Sequence, residues 1–182
     1  MARIDETRPF IPVSIAVLTM SDTRALEDDK SGATLAELIE KAGHKLAARA
    51  LVRDDIPQIR AQVLRWVADP DIDVVITTGG TGFTGRDVTP DALKPLFEKE
   101  IDGFSTVFHL ISYEKVGTST IQSRACAGLI GETYVFCLPG SPGACRDAWN
   151  GILQYQLDNR HRPCNLVEIM PRLGEHRKKA GA

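Results

Sequence analysis

Asp73-Val74-Val75-Ile76-Thr77-Thr78-Gly79-Gly80-Thr81-Gly82-Phe83-Thr84-Gly85 is the stretch that decides the fold of this chain. The run over 73–78 lacks polar alternation, so it reads as a strand covered on both faces, as in a parallel sheet. It passes directly into a glycine-rich loop. Glycine reaches backbone shapes that other residues resist, and it lets an oxyanion approach backbone N–H groups. Thr78, Thr81 and Thr84 bring hydroxyls to the same place.

Three readings of the loop compete. Residues 80–85 fit the dinucleotide pattern Gly-x-Gly-x-x-Gly, but Arg86-Asp87-Val88-Thr89 separates the last glycine from the helix start at Pro90. That pattern needs the helix to begin at the glycines, so that its N-terminus faces the pyrophosphate. A P-loop needs Lys-Ser/Thr after its last glycine, and Arg86-Asp87 stands there instead. A tight turn without a ligand is the third reading, and the density of glycine and threonine argues against it.

Outward from this stretch, strands and helices alternate. Residues 13–20 read as a strand buried on both faces, and residues 45–52 as a second strand with Leu46, Ala48, Ala50 and Val52 alternating. Residues 134–138 form another strand, stopped by Pro139-Gly140. Helical spacing places a helix from Ser31 to the stop at Gly43, one over 56–67 capped by Asp55, and one starting at Thr89-Pro90. Further helices are expected over 104–114, 119–128 and 141–157. The resulting class is α/β: a single-domain three-layer sandwich, mostly parallel sheet with helices on both faces. Residues 1–12 read as an irregular arm, 13–170 as the domain, and 171–182 as a flexible basic tail. In such sheets ligands bind beyond the carboxyl ends of the strands. Three strand ends carry short polar or glycine loops: Met20-Ser21-Asp22, Thr78-Gly79-Gly80 and Leu138-Pro139-Gly140. Their convergence on one edge is the main structural expectation.

A chain of 182 residues supports one good core, and its net charge of −2 excludes a general attraction to nucleic acid or an anionic membrane. No apolar run is long enough for a membrane span, and no secretory leader is read at the start. Cys126, Cys137, Cys145 and Cys164 form no Cys-x-x-Cys pair and have no histidine at zinc spacing. They are expected to be buried free thiols in a reducing cytoplasm.

The aspartates carry the chemistry. Asp55 has an ordinary duty as a helix cap, whereas Asp54 has none nearby. Asp87 follows the glycine loop directly and could cap a turn at Thr89. Alternatively, Asp54 and Asp87 face a shared phosphate site. Carboxylates beside phosphates need a cation between them, so that reading implies Mg²⁺. Asp22, Asp28 and Asp29 are expected to be solvated, with Asp22 the exception to watch, just past a strand end. Arg86 and Arg124 are either structural or phosphate contacts.

Taken in order, Ser21-Asp22-Thr23, Asp29-Lys30-Ser31-Gly32, Thr77-Thr78-Gly79-Gly80-Thr81-Gly82, Arg86-Asp87-Val88-Thr89-Pro90-Asp91-Ala92 and Leu138-Pro139-Gly140-Ser141-Pro142 resemble the molybdopterin-binding family. The resemblance covers about residues 13–157 and is closest to the family's single-domain bacterial branch. It implies the molybdopterin-binding fold and binding of molybdopterin, a phosphorylated pterin dithiolene. For active members it also implies transfer of AMP from Mg-ATP to that phosphate with release of pyrophosphate. It matches the family's two essential aspartates to Asp87 and Asp54, with Asp55 as the neighbour available for the second role. The implied substrate-binding residues are Ser21, Asp22, Ser31, Gly32, Thr78, Gly79, Gly80, Thr81, Gly82, Ser119, Pro139, Gly140, Ser141 and Pro142. The ligands of Mg²⁺ stay open. A trimer or hexamer is implied, with other cofactor-biosynthesis enzymes as partners. A molybdopterin carrier or scaffold without catalysis is the alternative.

Overall fold

A computed structural model describes residues 3–23 and 25–178. The strands are β1 (Arg3–Ile4), β2 (Ser14–Met20), β3 (Lys45–Val52), β4 (Val74–Thr78), β5 (Lys99–Glu100), β6 (Cys126–Ile130), β7 (Thr133–Leu138) and β8 (His161–Arg162). The helices are α1 (Lys30–Lys41), α2 (Ile56–Val67), α3 (Thr89–Leu93), α4 (Asp102–Val116), α5 (Pro142–Ala148), α6 (Gln154–Gln156) and α7 (Glu175–Lys178). The main sheet has the order β3-β2-β4-β7-β6-β5. Its first four strands run parallel, while β6 is antiparallel to β7 and to β5.

Strand alternation divides the core between the two faces. Ile15, Val17, Val74, Ile76, Tyr134 and Phe136 pack on one side, against Leu35 and Ile39 of α1, Phe104 and Phe108 of α4, and Trp149. Ala16, Leu18, Val75, Val135 and Cys137 face the other way, against Ile59 and Val63 of α2 and Leu93 of α3. Each large side chain removed fully from water contributes about 1.5–3 kcal/mol. The expected three-layer architecture is the one observed. Among the described residues, no helix is long and apolar enough to cross a membrane.

The structure departs from the sequence reading in several places. Residues 119–128 are not a helix: a 3₁₀ segment, Gly117–Gln122, gives way to β6. Gly131, at φ +64°, and Glu132 close β6 onto β7 as a two-residue hairpin, the connection that favours a glycine with positive φ. A Cβ on Gly128 would lie 2.3 Å from the Phe97 ring, so this glycine serves close packing within a strand.

The helix expected over 141–157 is interrupted by a π-helical turn, Trp149–Leu153, between α5 and α6. The arm is anchored rather than irregular throughout. β1 pairs antiparallel with β8, and the Asn159 side chain accepts from the Ile11 N–H at 2.8 Å and donates to the Pro9 carbonyl at 3.0 Å. At the other end, residues through Lys178 are ordered into the 3₁₀ segment Val167–Arg172 and α7, and Arg177 pairs with Glu98 at 2.6 Å. Residues 179–182 of the expected tail lie outside the described residues. The expectation of buried free thiols holds for Cys126, Cys137 and Cys145 and fails for Cys164, which the structure leaves exposed.

Candidate functional site

The three strand-end loops do meet. Gly79 and Gly80 adopt φ +105° and +61°, where a side chain is strained. A Cβ on Gly79 would sit 2.5 Å from the Met20 carbonyl oxygen, and one on Gly140 would sit 3.1 Å from the Gly79 Cα. The β2, β4 and β7 loops thus touch backbone to backbone. The Gly79 N–H donates to the Leu138 carbonyl at 3.0 Å, and the Thr78 hydroxyl donates to the Pro139 carbonyl at 2.9 Å.

Thr89 holds the loop from the far side. Its hydroxyl donates to the Gly79 carbonyl and its N–H to the Gly80 carbonyl, both at 2.9 Å. Arg124 is a second clamp. Its Nε donates to the Gly82 carbonyl at 2.9 Å, Nη2 donates to the Asp87 carbonyl, and Nη1 pairs with Asp91 at 3.0 Å. Its guanidinium also lies 5.7 Å from the Phe83 ring centroid. Of the two roles open to Arg124, the structure supports the structural one.

Three carboxylates gather at this loop. A Cβ on Gly80 would lie 2.7 Å from the Asp54 Oδ1, which places that carboxylate against the glycines. Burial and the neighbouring charge of Asp22, with a further contribution from Asp87, raise the Asp54 pKa. The Asp87 Oδ2 accepts from the Thr84 hydroxyl at 2.6 Å and the Thr84 N–H at 2.9 Å. Those bonds, one from the Gly82 N–H and the charge of Arg124 hold Asp87 below its ordinary range. Asp87 therefore folds its own loop and does not cap the turn at Thr89. Asp22 forms a two-pronged pair with Arg86, Nε to Oδ2 at 2.8 Å and Nη2 to Oδ1 at 2.7 Å. Asp55 caps α2 by accepting from the Gln58 N–H at 3.1 Å, so Asp54 is the member of the pair aimed at the loop.

The other expected site residues have internal duties. Ser141 caps α5, accepting from the Ala144 N–H at 3.1 Å, and Pro142 occupies the first helical turn. Ser21 accepts from the Thr23 N–H at 3.3 Å. Ser119 is exposed on the 3₁₀ segment. Asp29, expected to be solvated, is buried. It caps α1 through the Gly32 N–H at 2.9 Å, accepts from the Ser31 hydroxyl at 3.0 Å and the Thr19 hydroxyl at 2.6 Å, and pairs with Arg49 at 2.9 Å. A Cβ on Gly32 would fall 2.1 Å from the Asp29 Oδ2, so the glycine makes room for this carboxylate.

Beside the glycine loop lies a polar cavity of about 580 Å³, bounded by Pro90, Asp91, Lys94, His109, Arg124 and Cys126. A larger cavity of about 660 Å³ is lined by apolar side chains such as Phe104, Val107 and Phe136 and contains none of the loop residues. The glycines and carboxylates, not the larger volume, make up the candidate site. Among the described residues there is no cluster of three or more metal-ligating side chains. The carboxylates at the loop suit a cation shared with a bound phosphate better than a cage made of protein alone.

Comparison with known proteins shows the family. A model described as "Probable molybdopterin binding domain" matches residues 16–159, and the chain belongs to that family. Its relatives include molybdenum cofactor biosynthesis protein B of Escherichia coli K12, 51% identical over 86% of this chain and 92% of that protein. A crystal structure of molybdenum cofactor biosynthesis protein B superimposes with a TM-score of 0.83 at 41% identity, covering 92% of this chain and 99% of the other. The tungsten cofactor synthesizing protein MoaB from Pyrococcus furiosus superimposes with a TM-score of 0.74 at 34% identity, covering 89% and 97%. Molybdenum cofactor biosynthesis is the process in which this chain acts.

Proposed function

We propose that this chain binds molybdopterin and transfers AMP from Mg-ATP to its terminal phosphate, releasing pyrophosphate. One observation carries this reading: the Asp54 carboxylate against Gly80, with Asp22 and Asp87 close enough to raise its pKa. Asp87 and Asp22 also serve the loop's own structure, but a pure carrier of a phosphorylated ligand has no use for the Asp54 charge against the glycines. A transferase that handles a metal-bound triphosphate does.

The nucleophile is a phosphate oxygen of the pterin, already ionised near neutral pH. It forms a bond to the α-phosphorus as the bond to the pyrophosphate oxygen breaks. No proton needs to be removed, so the site requires no general base. The chain's work is alignment and charge neutralisation. Glycine-loop N–H groups approach oxyanions closely because no side chain intervenes. Thr89 and Arg124 keep that loop in one shape, so little reorganisation accompanies reaction. Mg²⁺, held by Asp54 and Asp87 together with the phosphates, would offset their negative charge. Thr78 and Thr81 are buried beneath the loop and support it, and the cytoplasm supplies the nucleotide.

The test is pyrophosphate release by purified protein given molybdopterin and Mg-ATP, with Asp87→Asn as the paired control. The expected result is pterin-dependent release that falls about 10²–10³-fold in the variant while pterin affinity persists. Protein that binds molybdopterin and releases nothing is a carrier or scaffold.

This reading includes a homo-oligomer, trimer or hexamer. Val107, Leu110, Tyr113 and Val116 leave an apolar stripe on α4, 43–62% exposed, continued by Ile121 at 71%. Contiguous apolar surface of this kind is characteristic of subunit interfaces. Leu110→Asp should weaken the assembly by about 2 kcal/mol or more per contact. Light scattering should then find monomers where the parent chain forms oligomers.

A further inference from the structure

Cys126 and Cys137 play no part in the proposed chemistry, yet they stand opposite each other in the β6–β7 pairing. The carbonyls of Ala127 and Leu129 accept N–H bonds from Ile101 and Glu98, on the side of β5. Backbone groups alternate sides along a strand, so Cys126 directs its own toward β7. Cys126–Cys137 is thus a hydrogen-bonded cross-strand pair, with Cα atoms about 5.5 Å apart. That separation lies within the range that a disulfide spans, about 4.4–6.8 Å. Both thiols belong to the same face of the core and interact with each other.

Their surroundings differ. Cys137 is fully buried, whereas Cys126 lines the polar cavity shared with Lys94, His109 and Arg124. The Cys137 thiol and the charges of Lys94 and Arg124 favour a thiolate at Cys126, and its pKa is lowered. A thiolate that a small molecule can reach, with a second thiol behind it, is the arrangement of a reactive and a resolving cysteine.

We propose that Cys126 and Cys137 are a peroxide-responsive dithiol, with Cys126 the sulfur attacked first and Cys137 the resolving one. The Cys126 thiolate attacks a peroxide oxygen and the O–O bond breaks. This gives a sulfenic acid on Cys126 and an alkoxide, which takes up the proton lost when the thiolate formed and leaves as an alcohol, or as water when the peroxide is hydrogen peroxide. The Cys137 sulfur then attacks Cys126, the S–O bond breaks, and the hydroxyl leaves with the Cys137 proton as water. The two thiols are oxidised and one peroxide is reduced. Cross-strand Cβ atoms lie about 4.5–5.5 Å apart, wider than the 3.5–4.5 Å of a relaxed disulfide. The bond therefore pulls on the ladder and is readily reduced by dithiols. Arg124 precedes Cys126 by two residues and Pro139 follows Cys137 by two, so the strain is delivered to the Arg124 clamp and to the Pro139 carbonyl that accepts from Thr78.

The experiment uses the full chain with the exposed Cys164 changed to serine, to remove disulfides between molecules. Hydrogen peroxide is added, free thiols are blocked with iodoacetamide, and cleavage after Arg124, Glu132 and Arg146 places Cys126 and Cys137 on separate peptides. The expected result is loss of the mass of two hydrogens from the intact chain and a Cys126–Cys137 link that dithiothreitol reverses. Added Cys137→Ala should abolish the link and leave Cys126 oxidised without a partner. Both cysteines alkylated after peroxide, or a link that survives Cys137→Ala, would overturn the proposal. In untreated Cys164→Ser protein, native alkylation should reach Cys126 before Cys137. The reverse order overturns the assignment of the attacking sulfur without any risk from a misfolded variant.

Discussion

Asp29→Ala should lower the unfolding free energy by about 3–5 kcal/mol, the cost of removing one partner from a buried ion pair. The carboxylate is 1% exposed and satisfies four donors: Thr19, Ser31, Gly32 and Arg49. Alanine leaves the first turn of α1 uncapped and the Arg49 charge uncompensated in a half-buried position. Asp29→Asn keeps an acceptor of similar shape, so its loss should be smaller than that of alanine. Urea unfolding checks this: the midpoint should fall with the slope unchanged. A drop below about 1 kcal/mol, the usual value of a cap alone, would show that the buried pair contributes nothing.

The same site has a pH signature. Burial pushes the Asp29 pKa up, but the bonds from Thr19, Gly32, Arg49 and Ser31 outweigh it and leave it below the ordinary value. A depressed carboxyl contributes its stability in full above the unfolded-state pKa, and loses it as pH falls through the folded-state value. Asp29→Ala should therefore show a shallower acid limb than the parent chain.

Asp54→Ala and Asp55→Ala should separate cleanly, although the two residues are adjacent. Asp54→Ala should reduce pterin-dependent pyrophosphate release by about 10²–10³-fold, the scale for removing one electrostatic contact to a transition state. Its stability should hold or rise slightly, because burial and Asp22 already disfavour its charged form. Asp55→Ala should leave turnover near the parent level and cost about 0.5–2 kcal/mol of stability through the lost α2 cap. Turnover and urea unfolding on both variants decide the matter. A turnover defect in Asp55→Ala with none in Asp54→Ala would reverse the assignment.

Much of this was legible in the sequence because burial writes itself into continuous apolar runs. Residues 13–20, 45–52 and 73–78 predict β2, β3 and β4 to within a residue, and the glycines after β4 announce their loop. β6 escaped for a physical reason. Cys126-Ala127-Gly128 has no β-branched residue, and the run fits a helix by composition. What fixes it is Phe97 filling the space above Gly128, a contact made from thirty-one residues away in the chain. Arg124 was ambiguous in the same way. Its partners Gly82, Asp87 and Asp91 are remote in sequence, and only the hairpin carries it back to them. Ser31 and Gly32 entered as ligand contacts only through the family resemblance. Here the anion they admit is the chain's own Asp29.

The pairing of β1 with β8 has a bearing on how the protein is made. Arg3 and Ile4 find their strand partners at Arg162 and His161, near the opposite end of the chain. A ribosome delivers residues in order, so Arg3 and Ile4 must wait for His161 and Arg162 before they can pair. During synthesis the sheet from β2 to β7 can collapse around its own hydrophobic faces, while the arm stays open to chaperones and proteases. Closure of the arm over Asn159 is then a late seal on a domain already built.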